Sequence, residues 1–225
     1  MSALGSPRLH LRRTDSTNER ARELALNGAP NGTLVTAAEQ TAGRGRQGRT
    51  WSAPAGRGLL CSLVLRDPPR LLPLAAGVAV AEVAGREARV KWPNDMLIDG
   101  RKVAGILVEG RPQERWAVLG IGLNVAVRLE DFGDELRERA ATLGREPSDI
   151  ESTLRTLLEA LERWLKASEG DVLAAVRTRD ALLGELVRWA GGEGQGAGID
   201  ADGRLLVDAD GGRVALDAGE VHLLG

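Results

Sequence analysis

A chain of 225 residues with 30 basic and 32 acidic side chains carries a formal net charge of −2. That balance excludes a protein that coats nucleic acid or an anionic membrane through bulk charge, so any cationic function must be local. Cys61 stands alone and cannot close an internal disulfide. No N-terminal apolar run resembles a signal peptide or a bilayer span, so a reducing, cytoplasmic setting is expected.

The length suits a larger and a smaller folded piece, expected at 1–183 and 184–225. The first predicted element is a helix entered at Asp15-Ser16-Thr17-Asn18-Glu19, where Ser16 followed by Glu19 reads as a capping box; Gly28-Ala29-Pro30 stops it. Thr33–Ala38 and Leu59–Leu65 read as strands, and the glycine- and arginine-rich stretch between them, 40–58, as a mobile loop. Leu71–Ala84 reads as an alanine-rich buried helix and Arg89–Trp92 as a strand ended by Pro93. Met96–Ile98 and Lys102–Glu109 flank Asp99-Gly100, a hairpin-turn pair, and two further strands follow at Trp116–Leu119 and Leu123–Val127. The charged segment 128–147 is weakly periodic. Behind a second capping box, Ser148 to Glu151, apolar residues from Ile150 to Leu165 recur at helical spacing, and Val172–Leu183 reads as a shorter helix. Short strands punctuated by Asp202-Gly203 and Asp210-Gly211-Gly212 then predict a small β-barrel. The fold class is α+β: a mixed, mainly antiparallel central sheet with flanking helices, then the barrel.

Chemistry concentrates in a few segments. In Gly43-Arg44-Gly45-Arg46-Gln47-Gly48-Arg49-Thr50-Trp51 the glycines let backbone wrap a ligand, the arginines offer forked donors for phosphate or carboxylate, and Trp51 offers a flat face. A nucleotide lid and a solvated or RNA-binding loop are both open readings; neither the common phosphate loop nor the dinucleotide fingerprint matches. Lys91-Trp92-Pro93-Asn94-Asp95 is good turn chemistry, yet with Lys102 across the hairpin it also joins cations to an acid in a way that suits phosphoryl or adenylyl transfer. The chain has 27 arginines and 3 lysines, and two of those lysines, Lys91 and Lys102, lie here. Gly120-Ile121-Gly122-Leu123-Asn124 puts two glycines on a strand, either to relieve crowding or to admit a ligand.

Taken in order, Asp15 to Asn18, Gly43 to Trp51, Lys91 to Asp95, Lys102 to Gly105 and Gly120 to Asn124 resemble the motif set of biotin protein ligases over most of the chain. The resemblance implies a catalytic domain followed by an SH3-like barrel, with biotin and ATP as substrates, Mg²⁺, and a biotin carboxyl carrier protein or domain as acceptor. It places the biotin ureido group near Ser16, Thr17 and Gln40, with Gly105, Gly120 and Gly122 lining the pocket and Asn18, Gly43 and Leu107 among the biotin-binding residues. Arg44 and Arg46 would hold the biotin carboxylate and α-phosphate, Trp51 would cover adenine, and Arg49, Lys91, Asn94 and Asn124 would position the rest of ATP. Lys102 and Arg46 would face the reacting groups, and Asp95 would orient the acceptor amine or take its proton.

Where many members carry an asparagine and an aromatic, this chain has Gly58-Leu59-Leu60. Fourteen residues before Asp15 leave no room for a helix-turn-helix, so no DNA binding is expected, nor any membrane; a homodimer is left open. Rival readings are a lipoate-type ligase, a nucleic-acid module and a non-catalytic biotin binder. The paired Gly-Arg repeats and Trp-Pro-Asn-Asp, the net acidity, and the retained Lys102 and Asp95 weigh against them in turn.

Overall fold

The computed structural model describes residues 4–217 and 219–224. In chain order the elements are β1 (Arg8–Leu11), α1 (Thr17–Leu26), β2 (Leu34–Ala37), β3 (Gly58–Arg66), α2 (Leu72–Ala84), β4 (Arg89–Lys91), β5 (Asp95–Ile98), β6 (Arg101–Arg111), β7 (Trp116–Asn124), α3 (Asp134–Arg139), α4 (Ile150–Trp164), α5 (Glu169–Thr178), β8 (Leu186–Trp189), β9 (Gly192–Ile199), β10 (Leu205–Ala209), β11 (Gly212–Leu216) and β12 (His222–Leu223). The first seven strands form one sheet in the order β1-β2-β3-β7-β6-β5-β4, parallel only between β1 and β2. The last five form an antiparallel sheet, β11-β10-β9-β8-β12, where the small barrel is expected. The α+β class and its mixed, mainly antiparallel sheet are as expected.

One face of the large sheet is covered by α2 and α4 and the other in part by α1, so its central strands send one set of alternating side chains into a continuous apolar core. Along β3, Leu59, Cys61, Leu63 and Leu65 face the main core, and along β7 Ala117, Leu119, Ile121 and Leu123 do the same. That core is closed by α2, which is buried along most of its length, and by the amphipathic α4 through Leu154, Leu157 and Leu161. The small side chains of α2 let it lie close to the sheet, with Ala75, Ala76, Ala79 and Ala81 all buried. On the opposite face α1 lays Ala21 and Ala25 on Val35, Val64 and Val118. The core continues into the second sheet through Leu182, Val187, Ile199, Leu205, Val207 and Val221.

Several local expectations shift. The helix after Asp15 begins as expected, but Ser16 makes no side-chain cap and Glu19 turns to Arg22 at 3.2 Å and Arg44 at 3.0 Å instead. The guanidinium contacts win because they are charge-assisted. The second box slides back: Glu146 N–H donates to Asp149 Oδ2 at 3.0 Å, while Glu151 pairs with Arg8 at 2.6 Å. The helix expected over 172–183 runs Glu169–Thr178 behind Ser168, whose hydroxyl accepts from Asp171 N at 3.1 Å. The strands expected at 116–119 and 123–127 are one strand, because the backbone of Gly120 and Gly122 stays in register with β3 and β6. β1 and α3 escaped the sequence reading. The turn at Asp99-Gly100 does carry two positive φ angles, 49° and 73°, as such a hairpin demands.

Candidate active site

The cavity opens on the face of the large sheet that α1 covers only in part, and its floor follows from register. Gly105 pairs with Gly122, and Gly120 lies between Leu107 and Ser62, so the two glycines of β7 keep the middle of the floor low. Strand alternation sends Ile106 and Ile121 to the main core and leaves those positions facing the cavity. At its inner end stands the start of α1. Gln40 Oε1 accepts from Thr17 N–H at 2.7 Å and from the Thr17 hydroxyl at 3.0 Å, so Gln40 satisfies the first of the orphan amides at the helix start. Ser62, fully buried, lies 2.8 Å from the Thr17 hydroxyl and donates to Asn18 Oδ1 across 2.6 Å. The Asn18 amide then donates to Glu109 at 2.7 Å. A Cβ at Gly120 would overlap Asn18, so that glycine makes room for a side chain of the same network.

At the other end β4 and β5 bring Lys91 opposite Asp95, and the hairpin returns Lys102 to Asp95 at 2.7 Å. Asn94 ties this corner to β6, giving Nδ2–H to Ile106 O at 2.9 Å and receiving Arg46 at 3.1 Å on Oδ1. Burial pushes Lys91 below the usual lysine range, only partly countered by Asp95.

The segment 43–51 folds as a small hairpin over this floor, with Gly45 N–H to Arg49 O at 2.7 Å and Trp51 N–H to Gly43 O at 2.9 Å. Arg49 pairs with Glu220, and Gly219, Glu220 and Val221 from beyond β11 complete the rim. Trp51 lies in the groove itself. A Cβ at Gly122 would overlap its ring, one at Gly105 would stand 3.2 Å from it, and Lys102 Nζ is 5.5 Å from the ring centroid. The cavity that remains is about 110 Å³, below the roughly 300–1,000 Å³ of small-molecule clefts. Trp51 must therefore move for a ligand to enter.

Of the residues singled out from sequence, Ser16, Thr17, Asn18, Gln40, Arg44, Arg46, Arg49, Trp51, Lys91, Asn94, Asp95, Lys102, Gly105, Leu107, Gly120 and Gly122 all border this cavity. Gly43 lies beside it, where a Cβ would strike Trp51 O and approach Gln40 Nε2 at 2.7 Å. Asn124 is apart: it is buried, gives Nδ2–H to Ala141 O at 2.9 Å, and holds the segment after α3 against the sheet. Sequence reasoning missed Ser62, Glu109 and Glu220. Ser62 had a signal, as the one polar residue in Leu59–Leu65, and so did Glu109, an acid closing an apolar strand; Glu220 had none.

A cleft that sets Arg46, Arg49, Lys91 and Lys102 against two paired carboxylates, above a glycine floor and below a hairpin, suits an enzyme class that activates an acid with a nucleotide. The chain belongs to the biotin/lipoate A/B protein ligase family, whose model matches residues 10–125, and a biotin protein ligase C-terminal domain matches residues 192–224. It is 37% identical to the biotin--[acetyl-CoA-carboxylase] ligase of Mycobacterium tuberculosis over 93% of this chain and 86% of that one. It is 36% identical to the bifunctional ligase/repressor BirA of Bacillus subtilis over 92% of this chain and 71% of that one. The biotin protein ligase of Aquifex aeolicus in complex with biotin and ATP superposes with a TM-score of 0.80 at 29% identity, covering 97% of this chain and 98% of that one.

Proposed function

We propose that this cavity binds biotin and ATP, forms biotinyl-5′-adenylate, and passes the biotinyl group to a lysine of a biotin carboxyl carrier protein or domain. The activity is that of a biotin protein ligase. One observation carries the assignment of roles: the Lys102–Asp95 ion pair at 2.7 Å stands at the junction of the glycine groove and the cationic corner. The acid lies in the groove, its ureido end towards Ser16, Thr17 and Gln40. Its carboxylate and the α-phosphate are both anionic, so Arg46, Arg49, Lys91 and Lys102 must offset their repulsion as the carboxylate attacks and pyrophosphate leaves. The mixed anhydride is prone to hydrolysis, and the hairpin with Trp51 excludes water from it. In the second step the acceptor amine attacks the acyl carbon and AMP departs; Asp95 receives or orients the amine proton.

Among the described residues no three acid, histidine or cysteine side chains gather to hold a metal. Asp95 and Glu220 are each paired to a cation. The residues do not make a protein cage for Mg²⁺, which belongs to the ATP phosphates as part of the substrate. The chemistry is assigned to 1–183 and a supporting role to 184–225. A cytoplasmic location without DNA binding is supported by the lone thiol and the near-neutral charge; no described helix is long and apolar enough to cross a membrane. The test is exchange of labelled pyrophosphate into ATP with biotin, lipoate, octanoate or no acid. Exchange with biotin alone is expected; equal exchange with lipoate would overturn the substrate assignment.

A further inference from the structure

Arg44 is the first arginine of the hairpin, and its guanidinium is already spoken for: Nη1 lies 3.0 Å from Glu19 Oε2 and Nη2 lies 2.8 Å from Glu109 Oε2. Both of its terminal nitrogens thus already meet a carboxylate, and a further anion would have to compete with Glu19 and Glu109 for the same cation. A carboxylate arriving at Arg44 would have to share or displace the Glu109 contact, and Glu109 also anchors the Asn18 amide at 2.7 Å. From there the polar chain is continuous: Asn18 Oδ1 takes the Ser62 proton, Ser62 touches the Thr17 hydroxyl, and Thr17 donates to Gln40.

We propose that Glu109 is a positioning residue that seats Arg44 and Asn18 together, so that the foot of the hairpin is strapped to the inner end of the acid pocket while its far side, Arg46 to Trp51, opens and closes. In this arrangement Arg44 is a strut rather than a carboxylate ligand. The hydrogen bonds from Gly45 to Arg49 and from Trp51 to Gly43 transmit the placement of the foot to Arg46, Arg49 and Trp51. Glu109 also sets the direction of every proton in the chain behind it: a carboxylate only accepts, so the Asn18 amide must face it and the Asn18 oxygen must face Ser62. The proposal rests on the reading of 43–51 as a lid.

The experiment compares wild type, Glu109→Gln, Arg44→Ala and the double variant, with biotin and ATP present. It reads tryptic cleavage at Arg46 and Arg49, escape of biotinyl-adenylate, and the biotin KM. Glutamine still accepts from Asn18 but gives Arg44 no charge. Loss of a charge-assisted contact in a partly exposed setting should raise cleavage and escape by about three- to tenfold, with the biotin KM within about twofold. Neither should change further when Glu109→Gln is added to Arg44→Ala. If Arg44 instead holds the biotin carboxylate, Glu109→Gln frees it and lowers the biotin KM, which overturns the proposal; so does unchanged cleavage. A wild type whose cleavage biotin and ATP do not slow refutes the lid reading itself. Melting curves identify an unfolded variant, and Glu19→Gln, on the first turn of α1, then tests the same strut with the same expected rise.

Discussion

Lys102 illustrates how much one side chain's shape decides. In a chain that uses arginine for almost every cation, a lysine lies 2.7 Å from Asp95 and 5.5 Å from the centre of the Trp51 ring. A compact ammonium can sit between a carboxylate oxygen and a phosphate oxygen, whereas a guanidinium fork prefers both oxygens of one group, and Asp95 is there to be forked. Lys102→Arg should therefore keep its ion pair and misplace the reacting atoms, by a shift of about 1 Å that costs on the order of a hundredfold in adenylation rate, nearly 3 kcal/mol. Thermal stability should stay within about 0.5 kcal/mol, since the side chain is partly exposed. Single-turnover adenylate formation beside a melting curve tests both, and a near wild-type rate would show that only charge matters. Lys91 makes a pH prediction. Burial disfavours its charged form, so it loses its proton at lower pH than an exposed lysine. An arriving phosphate favours the ammonium, so ATP binding is strongest where Lys91 is charged and weakens as pH rises through its lowered pKa. The ATP KM should climb on the alkaline side, and Lys91→Arg should move that climb to higher pH; identical profiles would remove Lys91 from the phosphate site.

At the scale of an element, the start of α1 separates capping from binding. Ser16 sits at the cap position with extended angles but makes no cap bond, while Gln40, from the loop after β2, accepts from Thr17 N–H at 2.7 Å. Ser16→Ala should thus leave the melting temperature nearly unchanged and raise the biotin KM. Gln40→Ala should cost about 1 kcal/mol, roughly 2–4 °C for a chain of this size, besides weakening biotin. Equal stability losses in the two variants would restore Ser16 as the cap. The position of this helix was legible, because Asp-Ser-Thr-Asn before an apolar stripe is local chemistry; which side chain serves its first amide was not, because Gln40 reaches it across 23 positions of chain. The same limit explains the single strand β7: two glycines read locally as an interruption, and only pairing with β3 and β6 keeps them in register.

Across the whole molecule the second sheet is packed into the same core as the first. The Asp202-Gly203 turn rests on α2, where a Cβ at Gly203 would stand 2.8 Å from Leu71 and 3.1 Å from Leu74, and Trp92 donates to Gly203 O at 3.0 Å. Removing 184–225 would bare Leu71, Leu74, Trp92 and Leu182. At roughly 1.5–3 kcal/mol for each large apolar side chain, that rivals the about 5–15 kcal/mol that holds a typical domain together. A chain ending at residue 183 should accordingly express as aggregate or melt without a cooperative transition; a soluble, cooperatively folding 1–183 would show the two pieces to be independent. The connection between β11 and β12 reaches the site as well, since Glu220 meets Arg49 of the hairpin.

The sequence by itself determined the chemistry and its order. The arginine- and glycine-rich stretch, the Lys-Trp-Pro-Asn-Asp turn, the second lysine and the strand glycines are short motifs that each left alternatives open, and their order along the chain carried the resemblance to the family. Tertiary structure alone decided that Gly120 yields to Asn18, that Arg44 is held by Glu19 and Glu109, that Asn124 braces the segment after α3, and that Glu220 closes the rim. Each of these joins residues far apart in the chain. Their meeting depends on the register of a seven-stranded sheet, where a slip of one residue sends every side chain to the other face.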